Sequence, residues 1–176
     1  MNTFPPDPPD YESPIGYSLF CEDIRHEHDG KYSLIGVFPG NIGVVSFPAV
    51  IPKLGIAVYY RQPSTMPRGE VNLCVMWEPD GAAERRLLVS TPVDMSEMPT
   101  PGAGAWLAAA VNMVMSPFQA AEPGSLRVRG YRDDLPPLRM GGIRLVRTEE
   151  GPGSAESPIV VPLQLGQPNV LKPRKL

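Results

Sequence analysis

Tyr17-Ser18-Leu19-Phe20-Cys21-Glu22-Asp23-Ile24-Arg25-His26-Glu27-His28-Asp29-Gly30-Lys31-Tyr32-Ser33-Leu34-Ile35-Gly36-Val37-Phe38 is the stretch that decides the fold class. Residues 17–27 and 31–38 both read as strands, bounded by turn residues. Asp29-Gly30 between them is a two-residue hairpin signal, because Gly readily takes the positive φ that a type I′ turn demands. Counting back from that turn sets Ile24 opposite Ile35 and Arg25 opposite Leu34, a register that a bulge near Glu22-Asp23 would shift.

The same texture continues outward. Residues 43–47, 54–61, 70–77 and 85–91 are strand-length runs. Pro48 and Pro52, Pro63 and Pro67, Glu78-Pro79-Asp80-Gly81 and Pro92 mark the connections, since proline cannot continue a central ladder. Val71, Leu73, Val75 and Trp77 alternate with Glu70, Asn72, Cys74 and Met76, so the first set is predicted to face the core. Residues 106–115 contain Ala108, Ala109 and Ala110, helix formers by propensity, but Val111, Val114 and the flanking Pro101 and Pro117 suit a strand crossing a sheet, and strand is the reading adopted. Leu126, Val128 and Gly130, then Asp133-Asp134, then residues 138–147 read as a closing hairpin. Arg127, Arg129, Arg132, Arg139, Arg144 and Arg147 point outward for part of its length. With 17 Gly and 23 Pro among 176 residues, a helical bundle and a coiled coil are excluded, while 42% hydrophobic residues are enough for one core. The prediction is an all-β, mainly antiparallel β-sandwich of about seven to nine strands over residues 15–148.

The flanks differ in composition. Residues 1–14 hold Pro5, Pro6, Pro8, Pro9 and Pro14 with Asp7, Asp10 and Glu12, and are expected to form an extended or disordered arm. Residues 149–176 are expected to be a linker and an extended tail. In that tail Ile159, Val161, Leu163 and Leu165 fall on one side of an extended strand, a candidate contact for a protein partner or a second copy of the chain. Pro158 and Pro162 favour a sheet edge or a groove for it over a central position.

A net charge of −3 argues against general attraction to nucleic acid or anionic lipid. No stretch supplies the roughly 20 uninterrupted apolar residues of a membrane-spanning helix. The opening Met1-Asn2-Thr3-Phe4-Pro5-Pro6 has neither a basic nor an apolar leader region, so a cytoplasmic chain is expected. Cys21 and Cys74 sit in apolar-rich runs and are expected to be buried free thiols.

Candidate chemistry is sparse. On a regular strand His26 and His28 project to one face, which is half of a metal site. Glu22 lies about 13 Å further back at ~3.3 Å per residue, and Asp29 belongs to the turn. Cys21 has Glu22 and Asp23 beside it, carboxylates that raise a thiol pKa rather than activate it. Asp133-Asp134 reads as a solvated turn rather than a calcium site. Met140-Gly141-Gly142-Ile143 reads as a strand bulge, with no helix to present its N-terminus to phosphate. The arginine series reads as a solvated sheet face rather than a nucleic-acid surface. The motifs GxxxxGK[ST], GxSxG, HExxH and CxxC do not occur.

Leu19-Phe20-Cys21-Glu22-Asp23-Ile24-Arg25 followed by Gly30-Lys31-Tyr32-Ser33-Leu34-Ile35-Gly36-Val37-Phe38 resembles the opening of a DUF6941-like family of small uncharacterised bacterial and phage-associated proteins. Pro117-Phe118 and Glu122-Pro123-Gly124 with the final hairpin are similar to the same pattern. The resemblance implies a β-sandwich and carries no catalytic or binding residue. The expectation is a binding or adaptor module without a cofactor, acting through protein contacts in a bacterial or phage-linked multi-component system. The alternative from another class is a metal-dependent hydrolase or metal-binding domain centred on His26 and His28.

Overall fold

A computed structural model describes residues 13–81, 84–99, 105–133 and 135–148, so residues 1–12 and 149–176 of the two flanking segments lie outside it. Eleven strands occupy the described chain: β1 (Ile15–His26), β2 (Tyr32–Val37), β3 (Ile42–Val44), β4 (Ala49–Ile51), β5 (Leu54–Pro63), β6 (Glu70–Pro79), β7 (Arg86–Asp94), β8 (Trp106–Met115), β9 (Phe118–Ala120), β10 (Gly124–Arg132) and β11 (Leu135–Arg147). The expected seven to nine become eleven because β4 and β9 are three-residue strands too short to show a period, while the run expected at 43–47 is present as the short β3. Sheet A has the order β2-β1-β5-β8, sheet B the order β3-β11-β10-β6-β7, and β4 pairs β9 apart from both. Every pairing is antiparallel except β3 with β11.

One core lies between the sheets. Sheet A contributes Phe20, Leu54, Ile56, Val58, Tyr60, Leu107 and Met113. Sheet B contributes Val71, Leu73, Val75 and Trp77, the set predicted from alternation, together with Leu126, Val128, Ile143 and Leu145. Residues 106–115 are a strand as read: β8 pairs β5 over its whole length, and its odd-numbered positions from Leu107 to Met115 lie opposite core residues of β5. Propensity loses there because the partner strand satisfies the backbone and the core takes the alternate side chains. Ser18 Oγ donates to the Met140 carbonyl at 2.7 Å, tying β1 to β11 across the sandwich.

The first hairpin corrects the expected register. Asp29 and Gly30 do take positive φ, 62° and 71°, and Lys31 N–H donates to the His28 carbonyl across them. However, Glu27 N–H also donates to the Lys31 carbonyl, which leaves His28 as an extra residue on one side. Ile24 therefore faces Leu34, and Arg25 faces Ser33. Ile24 then packs with Cys21 and Ala57 against Leu34, Tyr32 and Tyr59, and that cluster fixes the slip. No shift occurs at Glu22-Asp23; the pair Glu22 and Gly36 instead interrupts the ladder, with Gly36 at φ 63°. A side chain on Gly36 would meet the Glu22 carboxyl at 2.6 Å.

The expected bulge at Met140-Gly141 is present. Arg127 pairs Gly142 but Arg129 pairs Arg139, so β11 carries one extra residue, and Gly141 adopts φ 99°. A second shift towards the hairpin tip accommodates Pro136 and Pro137, which have no N–H to give a ladder.

Candidate interaction surfaces

Directly opposed residues share a sheet face, so the registers map the outside of sheet A. Its rows read Val37, Cys21, Gly55, Val114; then Leu19, Ala57, Asn112; then Tyr17, Tyr59, Ala110; then Ile15, Arg61, Ala108. Arg61 alone in these rows carries a charge, and its guanidinium lies 5.2 Å above the Trp106 ring. Exposure reaches 52% at Tyr17, 47% at Val114, 46% at Val37 and 37% at Ile15 and Leu19. A sheet face that merely met solvent would alternate polar residues outward, whereas this one is apolar and aromatic.

The face is also ordered. Tyr17 stacks on Tyr59 with ring centroids 4.7 Å apart, and the Tyr32 hydroxyl donates to that of Tyr59. Gly55 leaves room for Cys21 and Ile24, since a Cβ there would lie within 2.8 Å of both. Burial first, then the Tyr59 hydrogen bond, pushes the Tyr32 hydroxyl up to about 12. Between about pH 10, where an unfolded tyrosine ionises, and pH 12 the unfolded chain has released a proton that the folded chain keeps. Stability is therefore expected to fall as pH rises through that window, and Tyr32→Phe should flatten the fall. A titration of phenolate absorbance alongside thermal melts checks both.

β8 is an edge of sheet A, ten residues long, without charge, proline or register shift. The other edges are protected in ordinary ways: β7 has a register shift near Leu88 and carries Pro92, β2 is six residues long with Gly36 at positive φ, and β3 is short.

The outside of sheet B is basic. Arg127 and Arg129 on β10 and Arg139 on β11 line an open depression of about 380 Å³ with Glu78, Arg85, Gly141 and Gly142. Glu78 is shared by Arg85 at 2.6 Å and Arg127 at 3.1 Å, while Asp80 pairs Arg144 at 2.7 Å. Arg129 and Arg139 face each other directly across the ladder, a like-charge pair that costs stability unless something neutralises it. Among the described residues neither has a carboxylate partner. Burial, and then the neighbouring Arg139 and Arg127 against the opposing pull of Glu78, holds the Arg129 pKa below its usual value.

The sequence candidates fare differently. His26 ends β1 and His28 is the extra turn residue, so the two do not share a strand face; both are exposed. Among the described residues no three His, Cys, Asp or Glu side chains come together as a metal site. Cys21 and Cys74 are free and buried, and burial pushes the Cys21 thiol up. Asp23 is held below the usual carboxylate range chiefly by its hydrogen bond from Lys53. Ile159, Val161, Leu163 and Leu165 lie outside the described residues. Neither sheet face was singled out in advance as an apolar or cationic site. The only sequence signal for the first is the apolar series Ile15, Tyr17, Leu19 at every second position, and meeting Arg129 with Arg139 requires the bulge to be known.

The described residues thus form a two-layer β domain with one apolar and one cationic outer face. Residues 16–140 match the model of a family of unknown function, DUF6941, and the chain belongs to that family. No curated protein matches it. Among the described residues no helix is long and apolar enough to cross a membrane.

Proposed function

We propose that this chain is a non-enzymatic binding module, an adaptor in the cytoplasm of a bacterial or phage-linked multi-component system, that works by protein contacts. The observation that carries the reading is the ordered apolar outer face of sheet A, with Tyr17, Leu19, Val37 and Val114 exposed together. Such a face is stabilised by being covered, at about 25 cal/mol per Å² of apolar surface removed from water. The aliphatic positions Ile159, Val161, Leu163 and Leu165 provide the second contact, to a protein partner or to another copy of the chain. Burial of each contributes roughly 1.5–3 kcal/mol before ordering entropy is subtracted.

The test compares the full chain with Leu19→Lys/Val114→Lys and with a chain ending after Glu150, by partner recovery from native cells and by light scattering. Both substituted side chains are exposed, so their effect on stability should stay within about 0.5 kcal/mol per site. Loss of the partner or dimer with an unchanged melting temperature is the expected result. Partner and dimer retained in both variants would remove this reading.

A further inference from the structure

We propose that the arginine depression on sheet B is a carboxylate-binding site whose occupant is the acidic, proline-rich segment of this same chain that precedes Pro14. The inference is independent of the apolar face of sheet A. It starts from Arg129 and Arg139, opposed across the ladder and without an ion-pair partner among the described residues, set in a depression lined also by Glu78, Gly141 and Gly142. A guanidinium presents paired N–H donors in a planar fork, which fits a carboxylate better than any neutral group.

Charge complementarity identifies the occupant. The chain carries Asp7, Asp10 and Glu12 in its first 14 residues and no Lys or Arg before Arg25. Pro5, Pro6, Pro8 and Pro9 favour the polyproline II conformation, which repeats every three residues at about 3.1 Å each.

The point of entry fits as well. Pro14 lines a small cleft with Arg132, Leu135, Pro136 and Leu138, at the tip of the β10–β11 hairpin. From that tip to Arg139 is about 13 Å of strand. Four residues back to Asp10 reach at most about 14 Å and seven back to Asp7 about 25 Å, which brackets the depression. Glu149 and Glu150 follow Arg147 in sequence, at the end of β11 eight residues beyond Arg139 and away from the hairpin tip.

The experiment places a nitroxide on Thr3→Cys in the full chain, where Cys21 and Cys74 are buried, and follows the amide signals of Gly141 and Gly142. At low salt those signals should lose intensity, and in ~1 M salt, where screening acts over about 3 Å, they should recover. Asp7→Lys/Asp10→Lys should abolish the loss without touching the folded domain. Arg129→Glu/Arg139→Glu should abolish it too, and combining the two reversals should restore it. Undiminished signals in the labelled parent chain would overturn the proposal, as would a loss that survives the Asp7→Lys/Asp10→Lys change. A loss seen only between separately labelled chains would assign the site to the arm of a second copy and overturn the assignment within one chain.

Discussion

Trp77→Ala is expected to cost about 3–5 kcal/mol of folding stability, the range for deleting a large buried aromatic ring. Trp77 is the largest of the core side chains supplied by β6, and it meets Phe118 edge-on with ring centroids 5.6 Å apart. Phe118 belongs to β9, outside both main sheets, so the indole is also what anchors the β4–β9 pair to the core. Gly124 on the neighbouring strand has no room for a side chain because the Trp77 ring is 2.6 Å from where its Cβ would be. Collapse around the cavity is therefore limited, and the loss should approach the upper end of the range. Urea melts of the two proteins measure it; a loss below about 1 kcal/mol would mean that the β9 side has closed over the gap.

Gln62→Leu should produce the next largest loss, on the order of 1–3 kcal/mol, although it exchanges a polar for an apolar side chain in a fully buried position. Gln62 Oε1 accepts from the Tyr60 hydroxyl at 3.0 Å and from Arg132 Nη1 at 2.7 Å, and its Nε2 donates to the Pro67 carbonyl at 3.3 Å. One side chain thus joins β5, the hairpin tip and the loop after β5. Removing it withdraws an acceptor from a cation, and hydrogen bonds to charged groups are worth more than neutral ones. Gln62→Leu combined with Arg132→Met should cost less than the sum of the two single changes, because the second removes the group that the first deprives. Simple additivity would contradict the coupling.

The parts of the fold that local chemistry specifies were legible in the sequence. The alternation from Val71 to Trp77 places the core face of β6, and the two glycines after Met140 place the bulge of β11, because both depend on neighbours in the chain. The hairpin turn at Asp29-Gly30 was legible in its dihedral angles but not in its register, which the packing of Ile24 with Leu34 and Tyr32 decides from outside the turn. Short strands such as β4 and β9 exist only through pairing with each other, so no local pattern announces them. The surfaces were harder still. Tyr17 and Tyr59 stack, and Arg129 and Arg139 oppose one another, through contacts between distant segments.

The bond from Ser18 to Met140 spans 122 positions, and it has a consequence for the life of the chain before it is finished. At the usual rate of synthesis of about 5–20 residues per second, β1 waits on the order of 6–24 s for the strand that completes the cover over its inner side. During that interval Phe20 and the inner side chains of β5 have only half of their final surroundings. Pairings this distant also make closure slow, in the millisecond-to-second range of domains dominated by non-local contacts. The last step of folding therefore belongs after synthesis of β11, and a ribosome-bound chain stopped short of Met140 would lack the bond that ties β1 to the second sheet.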